Sequence, residues 1–147
     1  MGRHIYATAA ANGKRVQALC EAKNHALVLK DCNLKRTAMG IMNATCGCAG
    51  ERCMALPVVV AEESIADKLV ALIDEAMGSL KVGPAYDQSS QLGPVVNRGH
   101  REFVTGWIET GVKEGAKLVR DGRGLVVPGY EQGFYIGPTL FDHVTPG

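Results

Sequence analysis

The sequence predicts an α/β protein, a mostly parallel sheet flanked by helices, and three observations carry that prediction. Apolar residues recur at helical spacing in separate segments, most clearly from Ile65 to Met77 and from Phe103 to Val112. Between them lie short β-branched runs, of which MALPVVVAE at residues 54–62 is the clearest. The connections are short and rich in Gly, Pro, Asn, Asp and Ser, the residues that turns need.

The elements follow in order. Residues 3–12 (RHIYATAAAN) favour helix through their alanines and stop at Asn12-Gly13. RVQALC (15–20) and HALVLK (25–30) read as short strands around a turn-like EAKN. Asp31 or Asn33 caps a helix through about Thr45, with Leu34, Ala38, Ile41 and Met42 on one face, and Gly47 and Gly50 end it. MALPVVVAE is a buried strand. Ser64, with Asp67 three residues on, opens the next helix, whose stripe is Ile65, Leu69, Leu72, Ile73, Ala76 and Met77. KVGPAYDQSSQLGP (81–94) is a loop. From Asn97 a helix carries Phe103, Val104, Trp107, Ile108 and Val112 and ends at Gly115; AKLVRDG and FYIGPTLF follow as strands around a Gly-rich excursion. A first helix without a clear cap, and an end at VTPG without a closing element, read as the ends of a segment of a larger protein.

At 147 residues the chain is long enough for one real core. With 46% hydrophobic and 21% charged residues the composition is that of a folded domain, not of a disordered one. A net charge of +1 with scattered basic residues predicts neither nucleic acid nor a membrane as partner. No apolar run approaches the roughly 18 residues that span a bilayer. Five cysteines in no disulfide-framework spacing suit a reducing, cytoplasmic compartment.

Three of those cysteines crowd into CGCAGERCMA (46–55). A structural zinc site normally shows ligand pairs two to four residues apart, twice over; here one C-x-C and one outlier stand with no histidine within twenty residues, and no metal is expected. Free cysteine is commonly buried, and that reading covers Cys20, Cys32, Cys46 and Cys48. Cys53 differs. It lies in a turn between a helix end and a strand, where a side chain is presented rather than packed. Arg52 is its neighbour, and a nearby cation favours thiolate, although neighbours on an extended chain point apart. These residues leave core packing and nucleophile both open for Cys53.

The neighbourhood as a whole is more specific. GERCMA, with Ala49 before it, resembles the cysteine signature of the aldehyde dehydrogenase superfamily. GKRVQALCEAKNHALVL, CAGERCMA, LGPVV and EGAKLVRDGRG…GYEQGFYIGPTLFDHVTP, in order along the whole chain, resemble its CoA-acylating methylmalonate-semialdehyde dehydrogenase branch. The resemblance implies residues 1–17 as the tail of a dinucleotide-binding domain and 18–147 as part of an aldehyde dehydrogenase-like catalytic domain. It implies oxidation of methylmalonate or malonate semialdehyde to propanoyl-CoA or acetyl-CoA, with NAD as cofactor, coenzyme A as co-substrate and a homo-oligomer, a tetramer in the family, as the assembly. By the motif Cys53 is the nucleophile, its backbone N–H an oxyanion donor, and Leu19 and Cys20 approach the nicotinamide end of NAD. Ala18 stands where many relatives carry a general-base glutamate, which suits transfer to a thiol. Arg52 either binds the substrate carboxylate or forms a structural ion pair, with Glu51 or an acid elsewhere.

Two departures from the pattern matter. Cys20-Glu21 stand where relatives have at least one glycine against the cofactor. The chain also matches only a middle portion of the family, with Gly2 as the last glycine of a nicotinamide-proximal turn, so this polypeptide alone is expected to bind NAD poorly and turn over little. The alternative from another class is a non-catalytic remnant that serves as a binding or assembly module.

Overall fold

The computed structural model describes residues 1–20 and 22–145; Glu21, one of the two departures above, and the last two residues lie outside the described residues. Helix α1 spans Gly2–Ala11 and buries none of its residues. It ends as expected, with Asn12 Nδ2 donating to Thr8 O (2.8 Å) and Gly13 at φ +67°.

The expected strand over 15–20 does not form. Its residues have no ladder partner among the described residues, and Leu19 is 82% exposed. An apolar run becomes a strand only where another strand takes its backbone hydrogen bonds.

The next four elements form one packed unit. Strand β1 (His25–Val28) and strand β2 (Val58–Ala61) pair in parallel, with Ala26 opposite Val59 and Val28 opposite Ala61. Helix α2 (Leu34–Cys46) makes the crossover and is capped by Asn33, whose Oδ1 accepts from Arg36 N (3.1 Å). Helix α3 (Glu63–Gly78) packs on α2. Ala38, Ile41, Met42 and Cys46 of α2 meet Ile65, Leu69, Ile73, Ala76 and Met77 of α3, over Val28 and the inward residues Ala26, Val59 and Ala61. The predicted stripes of both helices are the faces that pack.

Two expectations are corrected here. Ser64 is not the cap of α3: Glu62 holds the position before the helix because its N–H still donates to Val28 O (3.1 Å), prolonging the ladder, and Ser64 falls inside the first turn. The β2 run is half-buried rather than buried. Its outward Val60 (50% exposed) faces away from the core beside Leu27 (72%), because helices cover only one side of the pair.

Helix α4 (Arg98–Lys113) begins at Asn97, whose Oδ1 accepts from His100 N (2.8 Å), and the chain turns away at Gly115. Strands β3 (Lys117–Arg120) and β4 (Leu140–Asp142) form a second, antiparallel ladder. Val95, Ile108 and Ile136 make a second, smaller core with Leu118, Phe134 and Phe141. Only Ile108 of α4 is buried; Phe103 and Trp107, expected on the same inward face, look outward. Arg120 joins the two halves, its Nε 2.7 Å from Asp74 Oδ1 and its Nη2 donating to Asp74 O (3.0 Å). No helix of the described residues is long and apolar enough to cross a membrane.

Candidate active site

The cysteine-rich stretch lies where α2 stops. Gly47–Gly50 form one 3₁₀ turn in which Cys48 (φ +52°) and Ala49 (φ +55°) are left-handed, followed by Gly50 at φ +77°. Ala55 N then donates to Arg52 O (3.0 Å), closing a tight turn with Cys53 and Met54 at its corner. Cys53 is exposed.

That turn is held from outside its own sequence. Asn24 Nδ2 donates to Cys53 O (3.1 Å) and to Ala55 O (2.8 Å), tying the turn to the residues that lead into β1. Thr45 Oγ1 donates to Leu56 O (2.7 Å) at the other side. With its carbonyl taken by Asn24, the Cys53 backbone keeps an N–H that finds no acceptor among the described residues.

The other thiols sort differently from the expectation. Cys46 is buried against α3, and burial pushes its pKa from 9.0 up to about 11, so it is an inert thiol at neutral pH. Cys32 is half-buried against the same core, as expected. Cys48 and Cys20 were expected to pack and are exposed instead. Left-handed backbone turns Cys48 out of the helix face, and Cys20 belongs to the segment that lacks a ladder partner.

Arg52 does not lie on its neighbour's thiol. Its Nε donates to Cys48 Sγ (3.2 Å), and its guanidinium covers Gly47, where an added Cβ would meet Cζ at 2.6 Å. No acidic side chain pairs with it among the described residues. Glu51, the ion-pair partner considered from sequence, reaches elsewhere: its Oε1 accepts from Val96 N (3.3 Å) and lies 3.2 Å from His100 Nε2.

On the opposite approach, Cys20 stands against the start of α1. A Cβ built on Gly2 would lie 3.2 Å from Cys20 Sγ, so Gly2 leaves just enough room for this approach. Leu19, beside it, projects into solvent. The structure therefore gathers Gly2, Leu19 and Cys20 at one place and Arg52 and Cys53 at another, with Asn24 reaching from the first segment to the second turn. Among the described residues no group of three or more His, Cys, Asp or Glu is arranged to hold a metal ion.

Sequence reasoning gave no role to Asn24 or His100 and read Glu51 only as a partner for Arg52. Asn24 read only as a turn residue, although an asparagine just ahead of a strand is a two-donor group free to bridge carbonyls. His100 carried no signal, since its partner lies on a distant segment.

Comparison with known proteins shows the family. The sequence profile of the Aldehyde dehydrogenase family matches residues 1–147. Malonate-semialdehyde dehydrogenase 3 of Geobacillus kaustophilus is 51% identical over 148 residues, covering 100% of this chain and 30% of its own. The crystal structure of methylmalonate-semialdehyde dehydrogenase from Oceanimonas doudoroffii superposes with a TM-score of 0.92 at 48% identity, covering 98% of this chain and 30% of that one. A variant of aldehyde dehydrogenase C from Pseudomonas syringae, in complex with NAD+ and octanal, superposes at 0.88 with 30% identity, again over 98% and 30% of the two chains. The chain thus spans about 30% of the length of the curated relatives it matches.

Proposed function

The chain belongs to the aldehyde dehydrogenase family, and on that premise we propose that it contributes the nucleophile to an NAD-dependent, CoA-acylating oxidation of malonate or methylmalonate semialdehyde. One observation carries the reading. Cys53 is displayed at the corner of a turn that Asn24 clamps at two carbonyls, while Cys46, seven positions earlier, is sealed in the core. The relatives named for malonate semialdehyde support the substrate class.

In this reading residues 1–17 belong to the dinucleotide-binding domain and 18–147 to the catalytic domain. Gly2, Leu19 and Cys20 fit one edge of an NAD site: the missing Cβ at Gly2 lets the two segments close up, and Leu19 stands free to meet a ring. The Cys53 thiolate adds to the aldehyde carbon, a C–S bond forming as the carbonyl electrons move onto oxygen. The unpartnered N–H of Cys53 donates to that oxyanion. NAD, when bound, supplies the hydride acceptor that turns the adduct into a thioester on Cys53. The thiolate of coenzyme A then attacks the thioester carbonyl, the bond to Cys53 Sγ breaks, and the nucleophile is regenerated. The bond from the α-carbon to the carboxylate breaks, carbon dioxide leaves, the electron pair passes to the α-carbon as a thioester enolate and a proton from water completes it, so malonate semialdehyde yields acetyl-CoA and methylmalonate semialdehyde yields propanoyl-CoA. Arg52, resting on Cys48, has only to leave a sulfur contact to offer its fork to that carboxylate.

The test uses a chain of the relatives' full length that carries this segment, supplied with malonate semialdehyde and NAD. NADH and acetyl-CoA are expected with coenzyme A present, and both are lost in Cys53→Ser. Activity surviving that substitution would remove Cys53 from the mechanism; free malonate in place of acetyl-CoA would remove the acylating step.

A second reading, a binding or assembly module, draws on the uncovered apolar side of the parallel ladder, Leu27, Leu29 and Val60. Sedimentation of the 147-residue chain decides it: self-association that Leu27→Lys abolishes would support the module.

A further inference from the structure

We propose that Glu51 is the positioning residue of the Cys53 turn, acting through the N-terminal end of α4; the inference rests on the reading of Cys53 as nucleophile. Glu51 stands two positions before Cys53, and the Arg52–Ala55 turn follows it without slack. Its carboxylate reaches across to the other half of the molecule. One oxygen, Oε1, accepts the Val96 N–H, 45 residues away, and lies within 3.2 Å of His100 Nε2. Val96 lies just ahead of α4 and His100 in its first turn, where the helix dipole favours a negative group. His100 is itself oriented, its ring stacked on Phe103 with centroids 6.0 Å apart.

The turn is thereby held from two directions. Asn24 grips its far side from the first half. Glu51 grips its near side from the second, and Ala49 between them packs against both cores. A side chain that joins the Cys53 turn to α4 transmits any shift of one half against the other to the sulfur, so its loss should lower the share of molecules that present Cys53 correctly. Arg52 does not share this role: its Nε donates to Cys48 Sγ and its guanidinium lies over Gly47, with no hydrogen bond to α4.

The experiment is competitive alkylation of the 147-residue chain with iodoacetamide at neutral pH, following Cys53 and Cys20 in the same tube by mass spectrometry. Glu51→Ala is expected to lower the ratio of Cys53 to Cys20 rates about fivefold or more, the factor that about 1 kcal/mol of lost anchoring gives. Glu51→Gln keeps an oxygen that can accept from Val96 N–H and face His100, and should restore the ratio to within about twofold. His100→Ala removes one of the two groups facing the carboxylate and should fall between them. A purely structural role would lower the melting temperature of Glu51→Ala while leaving the ratio unchanged, and an unchanged or raised ratio overturns the proposal. If Glu51→Ala does not fold, His100→Ala decides alone by the same criterion. The wild-type ratio answers the separate question: Cys53 reacting no faster than Cys20 counts against the nucleophile, whatever the variants do.

Discussion

Helices α3 and α4 are both sixteen residues long and both amphipathic, yet α3 buries five residues and α4 one. The difference lies in what faces them. α3 meets α2 and the parallel strands, so its whole stripe is covered. α4 meets a core of three buried residues, and its apolar stripe is divided. Val104 and Ile108 point inward, while Phe103 and Trp107 meet each other edge to face on the surface, with centroids 6.1 Å apart. Periodicity thus names a face of a helix, and only tertiary contact decides how much of that face disappears from water.

The comparison is open to breaking at graded points. Leu69→Ala in α3 removes the most deeply buried large side chain and should cost about 2–5 kcal/mol in urea unfolding; a loss like that of a surface change would mean that the first core is not the stable one. Next comes Gly122, whose added Cβ would collide with the Gly137 carbonyl that faces it across the second half. Gly122→Ala is expected to cost roughly 1–3 kcal/mol, read as a shift in the urea midpoint. Asn97→Ala strips the cap from α4 and should cost about 1 kcal/mol, with amide exchange accelerated first at the start of that helix. Trp107→Ala is expected to move stability by no more than about 0.5 kcal/mol. A much larger effect there would show that Trp107 is covered in solution, and the contrast with α3 would shrink.

What was legible in the sequence was local. Asn97, and Asn33 as one of two candidates beside Asp31, announced their helices because a cap acts within three residues, and both make the expected bond. The stripes of α2 and α3 were legible for the same reason. Ser64 misled because the competing bond, Glu62 N–H to Val28 O, reaches an acceptor 34 residues earlier in the chain. Residues 15–20 carried strand propensity with nothing to pair with. At the candidate site the turn, with Cys53 exposed in it, was legible from the glycines and the position between helix and strand. Arg52's engagement with Cys48 was not, because sequence adjacency hid a contact made at i−4 by a left-handed backbone. Asn24 and Glu51 act across the fold, and no local pattern points to either.

The clamp at Asn24 carries a consequence for the ageing of the protein. This exposed carboxamide is useful because its nitrogen carries two hydrogens, one for each carbonyl of the turn. Slow hydrolysis to aspartate, with no change in the gene, would set a carboxylate against two carbonyl oxygens and turn the clasp into a repulsion. The shelf life of the site is then the lifetime of one amide.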